Sequence, residues 1–103
     1  MINLTKYKEF GYDDAPSMQE FFSSKPYTFQ KEVIEYMESC QIDCVATRLP
    51  KDAFTGEFMH IEDYIQSDEK YLWTSPLIYY VKKYNLRLPE DFVQHVLAKI
   101  NKF

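Results

Sequence analysis

The side chains with the widest chemical range in this chain are two cysteines, Cys40 and Cys44, and two histidines, His60 and His95. Three residues separate the cysteines, a spacing that could supply half of a thiolate metal site. A structural zinc site needs four converging ligands, however, and no second Cys/His pair completes this one. Core thiols are the competing reading, because free cysteine is among the most buried residue types. No dense cysteine framework of a small secreted domain is present, so both thiols are expected reduced and unmetallated. His60-Ile61-Glu62 would place an imidazole and a carboxylate on one face of a strand, where they could do acid–base work, form half of a metal site or make a surface ion pair. His95 falls in a helical pattern beside Phe92, Val96 and Lys99. Cys–His nucleophilic catalysis there would need a thiol delivered from elsewhere, a third orienting group and an oxyanion element, none of which can be named. The expectation is therefore no catalytic residue, no cofactor and no metal.

The acids offer a different chemistry. Asp43, Asp52, Glu57, Glu62, Asp63, Asp68 and Glu69 lie close in sequence to Tyr64, Tyr71 and Trp73. Carboxylates beside aromatic rings suit capture of a basic protein, with charge steering the encounter and a ring supplying the buried anchor. The candidate partner-binding residues are Glu62, Asp63, Asp68 and Glu69, with an exposed edge of Tyr71 or Trp73. The plainer alternative is a solvated hairpin over an aromatic core. The formal net charge of -4 disfavours non-specific contact with nucleic acid or anionic membranes. Its distribution is uneven: residues 1 to 69 hold fourteen of the sixteen acids and half of the twelve bases, and residues 70 to 103 hold two acids and six bases.

Those six bases, Lys70, Lys82, Lys83, Arg87, Lys99 and Lys102, suggest a helix-turn-helix as the rival reading. Against it, the turn lacks a glycine, and the reading helix would begin Pro89-Glu90-Asp91, with two acids where phosphates should approach.

The elements that must position these groups follow from periodicity. Ser17 with Glu20 three residues later fits a capping box, and Met18, Phe21 and Phe22 supply a short first helix. Thr28 is placed to cap a second helix, whose buried stripe would be Phe29, Val33, Tyr36, Met37 and Cys40, with Glu32, Glu35 and Glu38 outside. From Ile42 onward the pattern turns to strands: Ile42 to Leu49 and Phe58 to Ile65 form a hairpin about a corner at Pro50 to Gly56, and Tyr71-Leu72-Trp73 adds a third short strand. Ser75 then caps, with Pro76 at the first helical position and Leu77, Tyr80, Val81 and Tyr84 as the stripe. Asn85 suits a left-handed helix exit. Pro89 opens the last helix, with Phe92, Val93, Val96, Leu97 and Ile100 inward. The first fifteen residues show no period and read as an irregular arm.

The fold class is thus α+β: a small antiparallel meander of about three strands, packed with N-terminal helices and a C-terminal helix pair. A chain of 103 residues fits one domain, since halving it would leave each part near the lower limit for folding alone. No apolar run reaches the roughly 20 residues of a membrane span and no signal peptide is visible, so the expected setting is cytoplasmic.

The stretch Tyr71-Leu72-Trp73-Thr74-Ser75-Pro76-Leu77-Ile78-Tyr79-Tyr80-Val81-Lys82-Lys83-Tyr84-Asn85-Leu86-Arg87-Leu88-Pro89 resembles the tails of small bacterial proteins, some of the toxin-immunity type. The resemblance carries no site residue. It implies a small acidic protein that occludes the active site of a basic toxin through surface complementarity. The leading expectation is a non-enzymatic interaction protein of immunity or inhibitor type, with a DNA-binding regulator as the alternative.

Overall fold

The computed structural model describes residues 1–100. These residues are α+β, with a four-stranded mixed sheet in the order β1-β4-β3-β2 and three α-helices. The strands are β1 (Ile2–Asn3), β2 (Gln41–Ala46), β3 (Asp63–Ser67) and β4 (Tyr71–Thr74); the helices are α1 (Gln30–Ser39), α2 (Ser75–Tyr84) and α3 (Glu90–Lys99).

The expected meander is present as β2-β3-β4, each neighbouring pair antiparallel. The arm before it is not wholly irregular. Its first residues pair in parallel with β4 as β1, with Ile2 N–H donating to the Lys70 carbonyl and Leu4 N–H to that of Leu72, both at 2.9 Å. Two residues are too few to show an alternating pattern, which is why sequence alone missed this strand.

The β2–β3 ladder is also shorter than the expected hairpin, ending at the Ala46–Asp63 pair. The corner is closed separately, by an isolated Lys51–Phe58 bridge and by Gly56, whose φ of 76° suits glycine. Asp52 explains the departure. Its carboxylate is fully buried and accepts from the hydroxyls of Tyr79 at 2.9 Å and Tyr84 at 2.6 Å and from Lys83 Nζ at 3.3 Å, which pins the corner to α2 instead of prolonging the sheet. His60 consequently sits in the left-handed region at φ 58°, outside any strand, and the expected His60–Glu62 strand face does not form.

Three helix starts differ from expectation in instructive ways. The Ser17 box forms, with the Ser17 hydroxyl accepting from Gln19 N–H and Glu20 accepting from Ser17 N–H, but the turn it opens, Met18–Phe21, is a 3-10 helix. Thr28 does not cap α1. The chain enters that helix through Phe29 at φ 70°, and the Gln30 side chain takes over, accepting from Tyr27 N–H and donating to Asn85 Oδ1 at 3.0 Å. Ser75 does not cap α2 either. It is the first residue of that helix, and its hydroxyl accepts from Tyr64 N–H and donates to the Glu62 carbonyl, joining α2 to β3. Asn85 does occupy the left-handed exit, at φ 54°.

Leu77, Val81, Phe92 and Val96 are all fully buried in one core with Val33, Met37 and Trp73. The helix against which α2 and α3 each pack is α1. Beneath them Trp73 donates its indole N–H to Gln66 Oε1, and Gln66 Nε2 donates to the Cys40 carbonyl at 2.8 Å, so the polar atoms of both buried side chains are satisfied.

Candidate functional site

Asp68 opens the turn between β3 and β4 and collects groups from three parts of the chain. Its Oδ1 accepts from the backbone N–H groups of Lys70 at 2.8 Å and Tyr71 at 2.7 Å, a local pattern that fixes the carboxylate's direction. Its Oδ2 accepts the Tyr36 hydroxyl of α1 at 2.5 Å and lies 2.8 Å from His95 Nε2 of α3. The side chains of Asp68 and His95 are only 6% and 12% exposed. Burial by itself would raise the Asp68 pKa, but the bonds from Tyr36, the two amides and His95 outweigh it and hold the carboxyl down to about 2. The Tyr36 hydroxyl moves the opposite way, pushed far above its usual value by burial and by donation to Asp68. Its proton therefore stays in place, and the bond is a charge-assisted one.

Glu69 continues the cluster. It is exposed, pairs with Lys99, and has Oε1 3.9 Å from His95 Nε2. One donor atom each from Asp68, Glu69 and His95 lie within 4.8 Å of one another. The nearby Cys40 thiol is pushed up by burial and donates to the Tyr36 carbonyl, so it is a proton holder rather than a thiolate nucleophile. The other strong network, around Asp52, also holds protons in place. Burial opposes ionisation there too, but hydrogen bonds from Tyr84, the Phe54 amide, Tyr79 and Lys83 bring the Asp52 pKa below its usual value, while Tyr84 is pushed up to about 12.

The chain matches no protein-family model, no curated protein and no solved structure.

Of the six residues expected to bind a partner, the structure separates the exposed from the buried. Glu62 and Glu69 face solvent. Asp63 is buried at 3% exposure and paired with Arg48 at 2.5 Å; Asp68 is committed to the network above. Tyr71 and Trp73, expected to offer an exposed aromatic edge, are 3% and 0% exposed. They pack against Phe92, with ring centroids 4.9 and 5.7 Å away, because α3 covers this face of β4. The anchor expected from them is therefore absent from the surface.

Two features escaped sequence reading. The first is the meeting of Tyr36, Asp68 and His95, for which only an aspartate at a turn start gave any local sign. The second is the state of β2. Sheet order leaves it paired on one side only, and all six of its residues are exposed. Ile42 opposes Gln66 and Val45 opposes Tyr64 in the register, so both share the helix-side face of the sheet, yet they are 55% and 57% exposed. Beside them lies a small cleft lined by Glu38, Ile61, Glu62, Tyr64 and Lys82.

Proposed function

We propose that this protein is a non-enzymatic interaction module that receives an extended, basic segment of a partner protein along the open edge of β2. The observation that carries this reading is that β2 is exposed along its whole length and presents Ile42 and Val45, an edge of the kind that natural sheets ordinarily cover or blunt. A partner strand would add main-chain hydrogen bonds, and its alternate side chains would meet Ile42, Val45 and the half-buried Tyr64. Acid complementarity is supported by exposed Glu62 next to that face and by the net charge of -4. Inhibition of a basic toxin, as an immunity protein, is the biological form this binding would take. Glu62 is retained from the expected acidic surface; Tyr64 replaces Tyr71 and Trp73 as the aromatic contact.

The DNA-binding alternative relied on a basic C-terminal stripe. Lys82 is paired with Glu38 at 2.7 Å, Lys83 with Asp52, and Lys99 with Glu69, while Lys102 lies outside the described residues. Among the described residues only Lys70 and Arg87 of that set are exposed without an ion pair, and two charges do not make a groove-sized stripe. Among the described residues no helix is long and apolar enough to cross a membrane.

Affinity capture from the source cells tests the proposal, using wild type, an Ile42→Lys/Val45→Lys variant and Glu62→Gln. The expected result is one protein recovered by wild type, lost with the double variant, and captured more slowly and with flatter salt dependence by Glu62→Gln. Equal recovery by all three would overturn the edge mechanism, and recovery of nucleic acid alone would promote the regulator.

A further inference from the structure

We propose that Asp68, Glu69 and His95 form a binding site for a single zinc-type divalent ion, independent of the β2 edge. Their donor atoms, two carboxylate oxygens and one imidazole nitrogen, all lie within 4.8 Å of one another. Tetrahedral zinc with N and O ligands near 2 Å requires donors about 3.3 Å apart. The separations from His95 Nε2, 2.8 Å to Asp68 and 3.9 Å to Glu69, fall on either side of that spacing, so an ion would enter by opening the Nε2–H to Asp68 hydrogen bond and turning the Glu69 side chain inward.

Two features distinguish this group from an ordinary acidic surface. The imidazole comes from α3, a different element from the β3–β4 turn that bears both carboxylates, and Asp68 and His95 are almost withdrawn from solvent. Both are also aimed by groups outside the cluster. Two backbone amides fix Asp68 Oδ1, and the Tyr36 hydroxyl donates to Oδ2. The His95 ring packs edge-to-face with Tyr71, with centroids 4.9 Å apart, and near-parallel to Phe92 at 6.2 Å. For Asp68 these hydrogen bonds are the outer-shell support that orients a metal ligand, whereas His95 is held by ring packing.

The donor set selects the class of ion. One imidazole with two carboxylates suits zinc, whereas calcium takes six to eight oxygens and magnesium an octahedron of oxygens. On binding, Nε2 presents its lone pair and the ring proton resides on Nδ1. Lys99 must leave Glu69, and its 45% exposed side chain can turn into solvent. Lys99 is thus the built-in competitor, and water supplies the fourth position.

Calorimetric titration of the untagged, chelator-treated chain with zinc chloride, together with the visible spectrum after cobalt substitution, tests the site. One ion per chain is expected, with the intense absorption of four-coordinate cobalt. Affinity should fall at least tenfold in Glu69→Gln, a surface change that leaves the fold intact, and in His95→Gln, and should rise several-fold in Lys99→Gln. Circular dichroism of each variant controls for folding. Absence of saturable zinc binding by wild type, or undiminished binding by folded Glu69→Gln, would overturn the proposal.

Discussion

Tyr36 and Asp68, thirty-two residues apart, share a 2.5 Å hydrogen bond between the C-terminal half of α1 and the β3–β4 turn. The ionised carboxylate can only accept, so the bond lasts only while the Tyr36 hydroxyl keeps its proton and points it at Asp68. Because the same carboxylate oxygen also meets His95, this bond ties two helices to one turn. Removing the hydroxyl as Tyr36→Phe should cost about 1.5 to 3 kcal/mol, the range for a hydrogen bond to a charged group, measured as a shift in urea midpoint at constant slope. A change within a few tenths would mean that solvent satisfies Asp68 equally well.

Packing beneath that bond gives a second expectation. Val96 is fully buried beside Phe92 in the shared core, so Val96→Ala should destabilise by about 1 to 3 kcal/mol through lost transfer energy and residual cavity. Equilibrium denaturation reads the effect directly, and an unchanged midpoint would show that the site collapses freely.

Acid should loosen the corner that Asp52 fastens to α2. Its folded pKa lies below the unfolded value, so its contribution is fully present above about pH 4 and is lost as pH falls through the folded pKa. Stability measured from pH 6 downward should therefore fall with the carboxylate's protonation. In Asp52→Asn that part of the slope should vanish, leaving a protein weaker at neutral pH and less sensitive to acid. A variant with the wild-type slope would assign acid sensitivity to other groups.

The two cysteines should differ in reactivity. Both are free, Cys44 exposed on β2 and Cys40 half-buried with its pKa raised by burial. Thiol titration with an aromatic disulfide should yield two thiols in denaturant, one reacting fast and one slowly in the native protein. Removal of the fast phase by Cys40→Ala, not Cys44→Ala, would contradict these environments.

On the β2 edge, Ile42→Lys/Val45→Lys should leave stability within about 0.5 kcal/mol, because neither side chain contributes to the core. The same pair should abolish partner capture. A large stability loss would show instead that these residues support the sheet.

Sequence determined the features that are written within one or two turns of chain. The stripe of Leu77, Tyr80 and Val81, the capping box of Ser17 with Glu20, the left-handed Asn85 and the succession of α1, the three meander strands, α2 and α3 all rest on contacts three or four residues apart, on strand alternation or on one residue's dihedral preference. Hydrophobic pattern also identified Phe92 and Val96 as core. Tertiary structure decided the rest. Whether Tyr71 and Trp73 face a partner or Phe92 depends on where α3 lies, and an aromatic residue in a strand carries no mark of the face that will be covered. Tyr36, Asp68 and His95 meet although their nearest neighbours in the chain are 27 residues apart, and Asp52 bends a hairpin off the sheet through hydroxyls on a later helix. Such contacts have no local period to reveal them. They arise when burial of the apolar faces brings distant polar groups together, which must then satisfy one another because water has been removed.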